Sequence, residues 1–183
     1  MKVITGNPGT GKHTIAKIIA KKLELELIDI NFVAIQEKTF ERKNKTLDVD
    51  VKKLKKIIDK KINKNSLLVG HLAPYIVSSR NVEKAIVLRR NPYKLQSVYK
   101  RRHYTEKKAL ENLGSEILGV IYHDTLREFG RKKTSQVDTT DKTVSAVAKK
   151  VENIFTGEKN KEKDIDWLQL VMRKGHMQRF FSY

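Results

Sequence analysis

The chain has 183 residues, 39% hydrophobic and 33% charged, so one packed domain is feasible. Lys and Arg outnumber Asp and Glu by 39 to 21, and the net charge of +18 favours contacts with nucleotides, RNA or an acidic partner. Cysteine is absent, which excludes disulfides and thiolate metal sites and fits a cytoplasmic protein. Because no apolar run reaches about 18 residues, the sequence predicts no membrane span and no membrane partner.

The order of apolar patterns along the chain predicts an α/β fold. Short apolar runs predict strands at residues 2–5, 25–30, 66–70, 84–90 and 135–138. Apolar residues that recur every three or four positions predict helices at residues 12–22, 48–64, 92–101, about 105–129 and 143–155. Residues 31–47 are polar and are expected to be irregular. Strands that alternate with helices imply a parallel β-sheet flanked by helices.

A glycine-rich turn, GNPGTGKHT, lies at residues 6–14 between the first strand and the first helix. Such a turn aims backbone N–H groups and a helix N-terminus at a phosphate. Lys12 would reach the β- and γ-phosphates of a nucleotide. The predicted phosphate-binding residues are Gly9, Thr10, Gly11, Lys12, His13 and Thr14. A chance turn before an amphipathic helix is the alternative, which the flanking strand and helix disfavour.

The position of the hydroxyl residue separates this loop from the general pattern G-x-x-x-x-G-K-[ST]. His13 follows the lysine, and the hydroxyl comes one position later, at Thr14. The loop resembles the G-x-P-G-x-G-K-x-T loop of nucleoside monophosphate kinases, in which position 13 needs to supply only a backbone N–H. The sequence therefore predicts binding of ATP with Mg²⁺, and Thr14 is the candidate metal ligand.

Several further segments resemble one family, the small adenylate kinases linked to ribosome assembly (adenylate kinase isoenzyme 6 and its archaeal homologues). The most specific segment is the block at residues 86–117, with VLRRNPYKLQSVYKRRHYTEKKALENLGSEI. DVDVKKL, VGHLAPY and IDWL also match family landmarks. The resemblance covers about residues 2–170 and implies a P-loop NTPase fold.

The family's organisation implies one nucleoside monophosphate kinase-like domain at residues 1–172. Within it, the monophosphate-binding segment would span about residues 30–47, and the lid would span about residues 101–111. Residues 173–183 would form a basic aromatic tail, which could dock on a partner or fray as a chain terminus.

The resemblance also assigns roles to single residues. Arg102 would be the lid arginine that closes over ATP and stabilises the transferring phosphoryl group. His71, in VGHLAPY, would orient water or couple the nucleotide state to movement. The loop TTDK at residues 139–142 would lie near the adenine. The alternatives are a solvated charge run around Arg102 and a purely structural histidine at position 71.

Asn31, Phe32 and Arg42 fall in the segment that would bind AMP, but this segment departs from the family. Phe32 and Ile35 stand where the family has an acidic residue and the arginine that holds the AMP phosphate. Arg42 or Lys43 could replace that arginine.

Two other positions also depart from the family. Val69 stands where an acidic residue organises Mg²⁺, which leaves Asp29 as a candidate carboxylate. His103 replaces a lid glycine.

Three functions are consistent with these features. The first is Mg²⁺-dependent transfer of phosphate from ATP to AMP, with ATP hydrolysis as a side reaction. The second is a nucleotide-dependent assembly factor that contacts a platform ribosomal protein of the small subunit and nearby rRNA. The third is a kinase of another small substrate, such as a nucleoside or shikimate, which the block at residues 86–117 disfavours. The basic helix near residues 52–64 is either a solvated face or an RNA-binding surface.

Overall fold

A computed structural model describes residues 1–43, 46–158 and 164–181, without the side chains of residues 41–43, 46 and 47. Its strands are β1 (Lys2–Thr5), β2 (Glu26–Asp29), β3 (Phe40–Lys43), β4 (Thr46–Val49), β5 (Ser66–Val69), β6 (Lys84–Arg89) and β7 (Thr134–Asp138). Five of them form a parallel sheet in the order β2-β5-β1-β6-β7, and β3 pairs with β4 as an antiparallel hairpin. The predicted α/β fold with a parallel sheet is therefore confirmed.

Helices cover both faces of the sheet. They are α1 (Lys12–Lys22), α2 (Ile30–Gln36), α3 (Val51–Lys61), α4 (Ala73–Ile76), α5 (Pro92–Arg101), α6 (Glu106–Ile117), α7 (Val120–Phe129), α8 (Val144–Phe155), α9 (Trp167–Arg173) and α10 (Met177–Phe181), with a short 3-10 turn at Ser79–Asn81. No helix of the described ranges combines the length and the apolar character that a membrane crossing requires.

The two faces of the sheet carry two separate apolar clusters, because alternate residues of each strand point in opposite directions. Val3 and Leu68 pack with Leu54 and Ile58 of α3, and Phe129 of α7 joins the same cluster. Ile4, Leu67 and Ile86 pack on the other face against α1 and α8. This double coverage explains why the central strands read as continuous apolar runs.

The segment expected to be irregular, residues 31–47, contains regular structure, so that expectation was wrong. Helix α2 forms because the Asp29 carboxylate accepts hydrogen bonds from the N–H groups of Asn31 and Phe32, at 2.9 and 3.3 Å. Strands β3 and β4 follow, and α3 begins at Val51 rather than at Asp48 because Asp50 caps it. The segment is too short and too polar for periodicity alone to reveal these elements.

The predicted helix at residues 105–129 is interrupted at Gly119, so the structure has two helices there. Gly119 has a φ of 64°, a left-handed conformation that glycine adopts without strain. A Cβ at this position would lie 3.2 Å from Nη1 of Arg89. The break therefore lets the backbone pass close to a buried arginine.

The basic aromatic tail packs on the chain itself. Phe180 of α10 is 2% exposed and forms an edge-to-face contact with Tyr93, with ring centroids 5.3 Å apart. Leu95, Leu113 and Val171 belong to the same apolar cluster. The interpretation of a frayed terminus is therefore wrong for residues 177–181.

Replacement of the buried tail aromatic should destabilise the protein. We expect Phe180→Ala to lower the free energy of unfolding by about 3–5 kcal/mol, because it removes a buried ring and leaves a cavity. Chemical denaturation followed by circular dichroism measures this change. Met177→Ala, on the exposed side of the same helix, should change stability by less than about 0.5 kcal/mol. Equal effects of the two substitutions would contradict the packing of α10.

Candidate active site

The glycine-rich turn joins β1 to α1 and leaves the N-terminus of α1 open. Gly6 has a φ of 137°, and a Cβ there would lie 2.3 Å from the carbonyl oxygen of Leu88. Gly9 has a φ of 84°, and a Cβ there would come within 3.0 Å of Leu95. Only glycine fits these two positions, so the loop keeps its backbone N–H groups accessible to a phosphate.

Lys12 is the first residue of α1 and is only 4% exposed. Its Nζ donates to the carbonyl oxygen of Asn7 at 3.3 Å, and no carboxylate of the described residues forms an ion pair with it. Burial, and then the positive charge of Arg102, lower the pKa of Lys12 to about 8 although Asp29 and Glu116 act in the opposite direction. A phosphate group would supply the missing counter-charge.

Two cavities adjoin at this loop. The larger, of about 590 Å³, lies between the loop, Asn31, His71, one side of α6 and the N-terminus of α7. The smaller, of about 490 Å³, extends from the loop towards Thr139, Lys142 and Val144. Both cavities are lined by Gly9, Gly11, Thr14 and Arg102. The loop and one arginine therefore separate two spaces of nucleotide size.

The structure brings most of the predicted site residues together. Those that line the larger cavity are Gly9, Gly11, Lys12, His13, Thr14, Asn31, His71 and Arg102. Thr10 lines the smaller cavity. Phe32 lines neither of these two cavities, and 58% of it is exposed. The backbone of Arg42 lies on β3, and its side chain falls outside the described part of the chain.

Comparisons with known proteins agree with this geometry. The profile of the family described as "AAA domain" matches residues 3–119. Proteins from Thermococcus kodakarensis and Methanocaldococcus jannaschii, both named "Putative adenylate kinase", are 32% and 31% identical to this chain, over 91% of it and 92% of each relative. The chain belongs to this adenylate kinase-like family.

Solved structures support the same fold at lower identity. A shikimate kinase from Acinetobacter baumannii superposes with a TM-score of 0.57 at 18% identity, covering 87% of this chain and 95% of that one. A gluconokinase from Sinorhizobium meliloti gives a TM-score of 0.53 at 14% identity, with 86% and 97% covered. At these identities the similarity shows the P-loop kinase fold alone.

In this family member, the candidate metal carboxylate, Asp29, is already engaged in hydrogen bonds. Asp29 lies beside Val69 in the sheet register, and its Oδ2 is 2.8 Å from Nδ1 of His13. Burial opposes ionisation of Asp29, but hydrogen bonds from His13 and from two backbone N–H groups outweigh it and hold the pKa below its usual value. Asp29 therefore acts as a helix cap and as the partner of His13, which argues against its role as a metal ligand.

The oxygen ligand that remains at the loop, the hydroxyl of Thr14, is suited to a magnesium ion that binds together with a nucleotide. Thr14 is exposed and faces both cavities, whereas Val69 is 1% exposed and has no ligating atom. In the described residues, no cluster of three His, Cys, Asp or Glu side chains could hold a metal. Magnesium commonly takes few protein ligands and completes its shell with phosphates and water, so one hydroxyl beside a phosphate loop suits it.

His71 follows β5 and faces the larger cavity. Burial first, and then the positive charges of Lys12 and His13, lower its pKa to about 4. The imidazole is therefore neutral near pH 7, so it can accept a hydrogen bond from water but adds no charge.

The predicted lid segment, about residues 101–111, comprises the end of α5, the turn that follows it and the first half of α6. His103 in this turn has a φ of 52°, a left-handed conformation in which glycine carries no strain. The structure thus gives a reason for the glycine that the family resemblance implies here.

Glu116 connects several elements around this site by hydrogen bonds, and the sequence alone did not reveal this role. Its carboxylate is fully buried and accepts hydrogen bonds from Nε of Arg89 at 2.8 Å and from Nδ2 of Asn7 at 2.8 Å. It also accepts from the N–H of Arg90 at 3.0 Å and from Nε1 of Trp167 at 3.1 Å. A charged arginine at the end of an apolar strand was the available signal, because such a residue requires a buried partner.

Loss of the Glu116 charge should destabilise the protein strongly. We expect Glu116→Gln to lower the free energy of unfolding by about 3–5 kcal/mol, because Arg89 would remain buried without a counter-charge. Denaturant titration measures this difference. Glu111→Gln, on the exposed face of the same helix, should stay within about 0.5 kcal/mol of the wild type. A loss below about 1 kcal/mol for Glu116→Gln would contradict the importance of the pair.

The low pKa of His71 predicts a pH dependence of stability. In the unfolded chain a histidine titrates near pH 6.5, whereas in the folded protein His71 stays neutral down to about pH 4. Above pH 6.5 the imidazole is neutral in both the folded and the unfolded state. Between pH 6.5 and 4 only the unfolded state gains the proton, so the free energy of unfolding decreases as the pH is lowered through this range. His71→Gln should reduce this fall in denaturant titrations at pH 7 and pH 4.5. An unchanged difference would contradict the burial argument.

Proposed function

We propose that this chain is a Mg²⁺-dependent adenylate kinase that converts ATP and AMP to two molecules of ADP. The observation that carries the proposal is the pair of adjoining cavities that share Gly9, Gly11, Thr14 and Arg102. A phosphotransferase must hold a donor and an acceptor in line across the transferring group. The relatives named "Putative adenylate kinase" support the choice of ATP and AMP.

ATP would lie with its phosphates on the loop and its adenine in the smaller cavity, near Thr139 and Lys142. Lys12 and the N–H groups of Gly9, Thr10, Gly11, His13 and Thr14 would bind the β- and γ-phosphates.

Arg102 would stabilise the charge that spreads over the transferring phosphoryl group, because it lines both cavities. AMP would occupy the larger cavity, with Asn31 at its edge.

When bound, magnesium would neutralise charge on the β- and γ-phosphates. Thr14 would be its protein ligand. His13 precedes Thr14 in the chain, and its pairing with Asp29 would hold the ring of His13 at the cavity wall. The neutral His71 would position a water molecule in the same cavity, which accounts for ATP hydrolysis as a side reaction when AMP is absent.

A second candidate is a nucleotide-dependent assembly factor for the small ribosomal subunit, in the cytoplasm. The apolar residues Phe32 and Ile35 favour it. They are 58% and 63% exposed, and they stand at the positions where the family resemblance implies an acidic residue and the arginine that holds the AMP phosphate. The net charge of +18 is consistent with a partner such as a platform ribosomal protein and nearby rRNA. In this case nucleotide hydrolysis would control binding, and AMP would have little effect.

The decisive measurement is ADP production from Mg·ATP with and without AMP. The adenylate kinase proposal predicts that AMP raises turnover about tenfold or more and that Lys12→Ala abolishes the stimulated rate, because the loop lysine would contact the transferred phosphate. Lys17→Ala, on the same helix and exposed, is the matched control and should keep the stimulation. Slow hydrolysis that AMP does not change would contradict the proposal and favour the assembly factor.

A further inference from the structure

An acceptor monophosphate carries about two negative charges near pH 7, so its site needs positive charge. Among the described residues that line the larger cavity, the lysines and arginines are Lys12, Arg102 and Lys108. Lys12 lies at the phosphate loop, and Arg102 also lines the smaller cavity. Of these three cations, Lys108 is therefore the one that lies outside the phosphate loop and lines the larger cavity but not the smaller one.

An aromatic stack connects Lys108 to the phosphate loop. Its ammonium lies 4.6 Å from the ring centre of Tyr104, close enough for a cation–π contact. The ring of Tyr104 stacks on that of Tyr99 at 5.2 Å with an angle of 8° between the planes, and the hydroxyl of Tyr99 donates to the carbonyl oxygen of Pro8 at 2.8 Å. Contacts through Tyr99 and Tyr104 therefore connect the ammonium group of Lys108 to the phosphate loop.

Lys108 also has no counter-charge of its own. Across the described ranges, no carboxylate oxygen forms an ion pair with its Nζ. Lys2, Lys22, Lys61 and Lys94 form ion pairs with acids, whereas exposed lysines such as Lys17 and Lys107 form none with a described carboxylate, so the missing partner of Lys108 has meaning only together with the cavity and the aromatic ring. A lysine that faces a cavity, rests on an aromatic ring and lacks an acidic partner is well suited to a phosphate ligand.

We propose that Lys108 binds the phosphate of the acceptor nucleoside monophosphate. This inference rests on the proposed phosphotransferase function and names the residue that selects a phosphorylated acceptor. Helix α2 (Ile30–Gln36) contains no lysine or arginine and contributes only Asn31 to the cavity lining, so the positive charge for the acceptor would come from α6 instead. Lys12 and Arg102 then remain with the phosphates of the donor.

The test is a comparison of Lys108→Met with Lys107→Met. Lys107 is the neighbouring residue, is also exposed and does not line the cavity. Steady-state kinetics with Mg·ATP and AMP should show that Lys108→Met raises the KM for AMP on the order of ten- to a hundredfold, which is the range for a lost charge-assisted hydrogen bond. The KM for ATP should change less than about threefold, and Lys107→Met should keep both values. Lys108→Arg should recover part of the AMP affinity.

Further readouts distinguish a failure of this inference from a failure of the proposed function. Thermal unfolding of all variants should coincide, since both lysines are exposed. If AMP stimulates the wild type but Lys108→Met leaves the KM for AMP unchanged, or raises both KM values equally, the role of Lys108 is wrong while the proposed function stands. The role of Lys108 is also wrong if Arg42→Met alone raises the KM for AMP. If the wild type shows neither stimulation by AMP nor binding of AMP in calorimetry, the proposed function fails and the role of Lys108 fails with it.

Discussion

The fully buried carboxylate of Glu116 joins four parts of the chain that are distant in sequence. Removing such a charge from water costs several kcal/mol, and the cost is offset only when hydrogen bonds satisfy all of its acceptor positions. Both oxygens of Glu116 accept hydrogen bonds: Oε1 from Arg89, Arg90 and Trp167, and Oε2 from Asn7. Arg89 in turn donates from Nη2 to the carbonyl oxygen of Glu116 at 2.7 Å. The pair is thus neutral as a unit and locked in one geometry.

The position of the phosphate loop depends on this network. Asn7 donates to Glu116 and accepts from the hydroxyl of Ser115 at 3.0 Å, so α6 holds the loop by two side-chain contacts. The carbonyl oxygen of Asn7 accepts from Nζ of Lys12 and from the hydroxyl of Thr10 at 2.9 Å. One buried carboxylate therefore orients the lysine that would contact a phosphate, although it lies outside the cavity.

Local pattern was sufficient to predict the strands of the sheet, most of the helical segments and the glycine-rich turn, although it joined α6 and α7 into one helix. Apolar periodicity and the glycine spacing depend only on residues that are close together in the chain, so both can be recognised in a single sequence. The same source could not give the Glu116 network, because its partners lie 109, 27 and 51 positions away at Asn7, Arg89 and Trp167. The helix α2 and the hairpin that follows were also missed, since side-chain capping by Asp29 and pairing with β4, not hydrophobic pattern, define them. The packing of α10 likewise depends on Tyr93, which lies far earlier in the chain.

If Lys108 binds the acceptor phosphate as proposed, the exposed apolar residues of α2 are compatible with a phosphorylated acceptor. Two nucleotides that meet at a phosphate loop repel each other, and any cation within a few ångströms of both offsets that repulsion regardless of the helix that carries it. In this chain α5 and α6 form the hairpin that brings Arg102 and Lys108 to one cavity. A single closing hairpin would then bind the phosphates of donor and acceptor together and exclude water at the same time. Under the proposed function, the position of positive charge around the cavity would decide whether the acceptor is phosphorylated, and α6 rather than α2 is the element to examine for it.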